Sequence, residues 1–200
     1  MNSLFRTSTT LSRPMKAARS LHRSSFLMQS AADSYTFNVN NILDKEHENK
    51  SLKEVLTLPP SAMQGLTPQS DVTLEKFKIK TIKDLGTWKA HHLAQAAVGL
   101  AIFEEDATED GKKGRKSAAV SNLFGAFDKE YRSLTLKALC KTPPHSIKGL
   151  APWVDDEFLN LNKKLTTIEA FAAWKYPVAA AHLCTLAYYE EENSLTLGFE

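Results

Sequence analysis

LKEVLTLPPSAMQGLTPQSDV, residues 52–72, returns as LKALCKTPPHSIKGLAPWVDD, residues 136–156. Leu52-Lys53, Pro59-Pro60, Gly65-Leu66, Pro68 and Asp71 reappear 84 positions later as Leu136-Lys137, Pro143-Pro144, Gly149-Leu150, Pro152 and Asp155. Beyond a two-residue slip the offset becomes 86. Thr81-Ile82, Trp88-Lys89, Leu100-Ala101 and Glu104-Glu105 then match Thr167-Ile168, Trp174-Lys175, Leu186-Ala187 and Glu190-Glu191. Internal self-similarity governs the whole reading of a chain, because it sets the structural unit. The sequence therefore predicts two copies of one unit, and no catalytic-looking set of polar residues is shared between them.

Within a copy the local signals are helical. Ser51 stands where an N-cap belongs, with Glu54 three residues on as its capping-box partner, and Pro59-Pro60 stops that short helix. Gly65-Leu66-Thr67-Pro68 is a tight turn with Pro68 opening the next helix, whose apolar positions are Val72, Leu74 and Phe77. Thr81 caps a further helix carrying Ile82 and Leu85. Trp88 to Glu105 is the longest helix. The second copy repeats this with the turn Gly149-Leu150-Ala151-Pro152, Phe158 and Leu161, the cap Thr167, and a long helix over Trp174 to Glu191. Strand-like alternation is missing, so the expected class is all-α.

The order of glycine turn, helix, threonine cap and apolar residues resembles the helix-hairpin-helix family. Gly65, Leu66, Pro68, Leu74, Ile79, Thr81, Ile82 and Leu85 fit its pattern, and so do Gly149, Leu150, Pro152, Phe158, Leu165, Thr167, Ile168 and Phe171. The resemblance implies a packed pair of hairpins. It departs from the DNA-binding form at the second turn glycine, which lets backbone N–H groups approach a phosphate. Thr67 and Ala151 stand there. Gln69 and Trp153 occupy the place of the basic residue that follows, and Asp71 and Asp155 lie nearby. The resemblance is thus to a variant lacking the second hairpin glycine, in which the motif packs rather than binds nucleic acid.

Around these copies lie a transit peptide (1–32), a polar arm (33–50) expected to be extended, a charged linker with a bridging helix (106–132) and a tail (193–200). The units themselves span 51–105 and 133–192. The bridging helix is expected over Ser117 to Arg132, with Val120, Leu123, Phe124 and Phe127 on one side. Residues 1–32 hold Arg6, Arg13, Lys16, Arg19 and Arg23 and no acid, and are rich in Ser and Thr. That profile is a mitochondrial presequence, with a plastid transit peptide as the alternative. Taking these five positive charges from the formal +2 leaves −3 on the rest of the chain, which argues against a non-specific polyanion binder. The most apolar run, Leu93 to Phe103, is too short to span a bilayer. The linker cluster Lys112-Lys113-Gly114-Arg115-Lys116 reads as a solvated loop.

The candidate contact residues are Trp88, Lys89, Trp153, Trp174 and Lys175, with Gly65, Pro68, Gly149 and Pro152 shaping the hairpin turns. Tryptophan is over-represented in interface hot spots. Trp88 and Trp174 read more simply as internal seals of their copies, whereas Trp153 has no counterpart and is the copy-specific contact. Cys184 is expected as a buried free thiol and Cys140 as partly exposed. His91-His92 point to different helix faces, and His47 and His145 have no partner in sequence, so no metal site is expected. Glu104-Glu105 and Glu190 to Glu192 read as solvated helix ends. No catalytic residue, cofactor or metal is predicted. The expected function is a non-enzymatic scaffold or accessory subunit of an organellar protein complex. The alternatives are an organellar nucleic-acid-binding protein or a plastid complex subunit.

Overall fold

A computed structural model of the chain describes residues 39–104 and 123–190. The expected transit peptide, the basic linker cluster and the tail lie outside the described residues. Eight α-helices follow in order: α1 (Leu52–Val55), α2 (Pro68–Glu75), α3 (Ile82–Gly86), α4 (Lys89–Ala101), α5 (Leu136–Leu139), α6 (Trp153–Leu161), α7 (Ile168–Ala172) and α8 (Lys175–Ala187). Four single 3-10 turns and isolated bridges complete them, so the class is all-α.

Each start and stop has a local cause. Ser51 and Glu54 form the reciprocal capping box of α1. Thr81 accepts from the Asp84 N–H at the start of α3, and Thr167 from the Ala170 N–H at the start of α7. Gly65 and Gly149 take φ of 97° and 96°, a backbone that side chains with a Cβ rarely adopt. Pro68 opens α2, where its missing N–H costs nothing. After α2, Lys78 takes φ 63° and the Ile79 N–H returns to the Leu74 carbonyl, ending the helix.

Contacts come in matched pairs. Leu43 bridges Met63, and Phe127 bridges Ile147. The N–H groups of Ile82 and Lys83 reach the carbonyls of Leu58 and Leu56, while those of Ile168 and Glu169 reach Thr142 and Cys140. The long helices cross over. Helix α8 packs on α3 and α1, and α4 packs on α7 and α5, with α2 meeting α6 between them. The core is shared by both halves, with Leu74, Ile82, Leu85, Phe158, Ile168 and Phe171 fully buried.

Three expectations are corrected here. Residues 123–132, the described end of the expected bridging helix, are a turn, a bridge and a 3-10 segment. The Asp128 N–H bonds the Ser146 carbonyl, the Lys148 N–H bonds that of Ala126, and Arg132 takes the carbonyls of Phe124 and Phe127. These partners satisfy the backbone outside a helix, so the amphipathic pattern loses. The polar arm is likewise not extended over 39–50: Leu43 is buried, and the segment bonds to Ala62 and Gln64. The thiols are reversed, Cys140 being buried and Cys184 partly exposed, both free. Burial, then the nearby Glu169 charge, raises the Cys140 pKa, and burial raises that of Cys184, so neither is an activated nucleophile.

His91, on α4, is buried against the edge of Phe171 at 5.2 Å. Burial first, and the neighbouring His92 charge second, lower its pKa to about 4. Between that value and the ordinary 6.5, the unfolded chain takes up a proton that the folded chain refuses. Stability is therefore full above about pH 6.5 and falls as the pH drops toward 4, by about 3 kcal/mol from this group. Urea denaturation across that range checks it. In His91→Gln the acid-side slope should shrink, and an unchanged slope sinks the assignment.

Candidate functional site

A cleft of about 340 Å³ opens where the second hairpin turn meets the C-terminal end of α2 and the start of α4. Lys148, Gly149, Leu150, Trp153 and Val154 form one wall. Lys76, Phe77, Lys78, Trp88, Lys89 and Ala90 form the other. The aromatic rings are ordered by contact. Trp153 stacks on Phe77 with centroids 5.4 Å apart and planes 12° apart, and Phe77 lies 5.5 Å from Trp88. Trp153 remains 48% exposed, so one indole face is open. Lys76 pairs with Glu157 at 2.6 Å. Lys78, Lys89 and Lys148 have no ion pair among the described residues, and no carboxylate lines the cleft. It therefore carries about three uncompensated positive charges beside an aromatic shelf.

The equivalent place at the first hairpin is closed. Tyr176 on α8 stands where α4 has Ala90, and its hydroxyl donates to the Gln64 carbonyl at 3.2 Å. A Cβ built on Gly65 would lie 2.6 Å from that hydroxyl, whereas one on Gly149 meets nothing within 4 Å. Lys175 sits over the Tyr176 ring at 4.7 Å, which uses its charge locally. Gln64 replaces Lys148, and Gln69 replaces Trp153. Three side-chain differences, at equivalent places, open one turn and seal the other.

The structure thus sorts the expected contact residues. Trp88, Lys89, Trp153 and Gly149 meet in the cleft, with Pro152 one residue before Trp153. Trp174 is 3% exposed, which leaves it no face for a partner, and its indole N–H has no hydrogen-bond acceptor among the described residues. Lys175, Gly65 and Pro68 lie at the closed hairpin, away from the cleft lining. Lys148, Lys78, Lys76 and Phe77 are site residues that sequence reasoning passed over.

A second polar constellation belongs to the later hairpin. Asp155 Oδ2 lies 2.6 Å from His145 Nδ1, and His145 Nε2 lies 3.0 Å from the Tyr131 hydroxyl. His145 is therefore partnered on both ring nitrogens. Burial first, then the Glu130 charge, raises the Tyr131 pKa, which makes the hydroxyl a poor nucleophile. Asp155 also accepts the His145 backbone N–H, as Asp71 accepts that of Ser61 in the first half. The chain is a strap between α6 and the Pro143-Pro144 turn. Among the described residues, no cluster of His, Cys, Asp and Glu is arranged to hold a metal ion. No described helix is long and apolar enough to cross a membrane.

Compared with protein families, with curated proteins and with solved structures, the chain matches none.

Proposed function

We propose that this chain is a non-enzymatic scaffold or accessory subunit of a mitochondrial protein complex, built from two helix-hairpin-helix-like units behind a removable presequence. One observation carries the reading. Both long helices end in a projecting apolar pair, Ile102 and Phe103 at 74% and 77% exposure, Tyr188 and Tyr189 at 82% and 74%. Leu100 and Leu186 extend these patches at matching positions. Apolar groups grouped on a surface in this way mark protein contact sites. Two like patches on an interlocked pair of units suit a bivalent docking module, which gains avidity when both engage one assembly. Nothing in this reading needs a cofactor or a catalytic residue.

The test is a mild-detergent pull-down of the tagged mature chain from mitochondria, with and without nuclease, followed by native gel and mass spectrometry. Co-migration with one large complex, unchanged by nuclease, is the expected result. Replacing Ile102 and Phe103 by serine should weaken that association by roughly tenfold, and serine at Tyr188 and Tyr189 as well should abolish it. A quadruple variant that still co-migrates, while folded by circular dichroism, overturns the reading. A second reading, organellar nucleic-acid binding, draws on the unpaired lysines of the cleft. It requires an affinity for DNA or RNA that falls steeply with salt. Import of residues 1–32 fused to a reporter separates mitochondrion from plastid.

A further inference from the structure

We propose that the open cleft beside Gly149 binds a mononucleotide-like ligand, a planar ring joined to a phosphate-type anion. This is independent of the docking reading, which uses the far ends of α4 and α8. The first support is chemical. Lys78, Lys89 and Lys148 converge without carboxylate partners among the described residues, so an anion entering the cleft meets unspent charge. The second is geometric. Trp153 is held flat on Phe77 with its outer face exposed, a shelf on which a ring stacks. The third is the contrast between hairpins. Where the same place has Gln64 instead of Lys148 and Gln69 instead of Trp153, a tyrosine fills it and hydrogen-bonds the turn. The volume, about 340 Å³, falls in the range of small-ligand sites.

The ligand's arrangement follows from the walls. Its ring stacks on Trp153, while its anionic end lies toward Lys148, Lys78 and Lys89. The Lys76–Glu157 pair borders the cleft and is already neutral as a unit.

The experiment titrates the full 200-residue chain with ATP, adenosine, tripolyphosphate and a twelve-residue oligothymidylate, read by tryptophan fluorescence and calorimetry. ATP should bind at least tenfold more tightly than either of its halves, with quenching of Trp153. Trp153→Ala and Lys148→Glu should each weaken ATP roughly tenfold, and Lys175→Ala at the closed hairpin should change nothing. Ala90→Tyr, which copies the residue present at the equivalent position, should abolish binding. Circular dichroism and a urea midpoint report whether each variant folds, and the two surface substitutions suffice if Ala90→Tyr does not. Tripolyphosphate binding as tightly as ATP overturns the proposal, because the ring then contributes nothing. So does binding of the oligonucleotide without the mononucleotide, which favours the nucleic-acid reading. Undiminished ATP binding in folded Ala90→Tyr or Lys148→Glu places the ligand elsewhere and overturns it too.

Discussion

Phe158→Ala is expected to lower the free energy of unfolding by about 3–5 kcal/mol, enough to unfold a marginal domain. Phe158 is fully buried on α6. Its ring lies 4.7 Å from Phe171, 5.5 Å from Phe77 and 5.8 Å from Trp88, in two edge-on contacts and one tilted. Phe77 and Trp88 come from the first half of the chain and Phe171 from the second, so truncation leaves a void at the seam. Loss of transfer energy adds to the cavity cost, and lost edge-to-face contacts add more. Phe158→Leu keeps most of the volume and should cost about 1 kcal/mol. Because the seam is shared, both halves should still melt together, with circular dichroism and Trp88 fluorescence giving one urea midpoint. A loss below 1 kcal/mol in Phe158→Ala, or two separate transitions, contradicts the shared core.

Much of this architecture can be read from the residues because its causes are local. A capping box, a proline at the first helical position, a turn glycine and a threonine cap all act within four residues of themselves. Ser51, Pro68, Gly65 and Thr81 therefore mark the right boundaries. What escaped depends on partners far away in sequence. Residues 123–132 carry a helical apolar pattern, yet Ser146 and Lys148 divert their backbone bonds. The sequence did hold a signal: Asp44-Lys45-Glu46 recurs as Asp128-Lys129-Glu130, which extends the 84-residue offset upstream into the arm.

The site was legible in a similar, partial way. Trp153 stands out because Gln69 fills its matching position, and Trp88-Lys89 stands out as a repeated pair. The same repetition misled about Trp174-Lys175, since Tyr176 next door closes that side and Ala90 leaves the other open. Differences between copies, rather than the residues they share, mark the cleft. Lys148 against Gln64 and Ala90 against Tyr176 were both visible in an alignment of the chain with itself. Their meaning needed the crossing of the long helices, which brings α4 of one half to the other half.

The double variant Glu104→Gln/Glu190→Gln should lose about 4 kcal/mol of stability, about 2 kcal/mol from each site. Each carboxylate holds the first turn of a helix in the opposite half. Glu190 accepts the Leu52 and Lys53 N–H groups at 2.7 and 2.8 Å, and Glu104 accepts those of Leu136 and Lys137 at 2.8 Å each. Both oxygens of each carboxylate are used, and each sits at the positive end of a helix. A glutamine offers one oxygen and turns an NH2 toward the second N–H, so one donor in each pair is orphaned. Sequence rules look for a cap three residues away, and these caps lie 32 and 138 residues away. That distance is why the glutamates read as solvated helix ends. The two sites share no partner, so their effects should add to within about 0.5 kcal/mol. Hydrogen exchange should show faster opening of α1 in Glu190→Gln and of α5 in Glu104→Gln. A double variant as stable as the parent would mean that water replaces both carboxylates at no cost, and that the crossing is held by the apolar core alone.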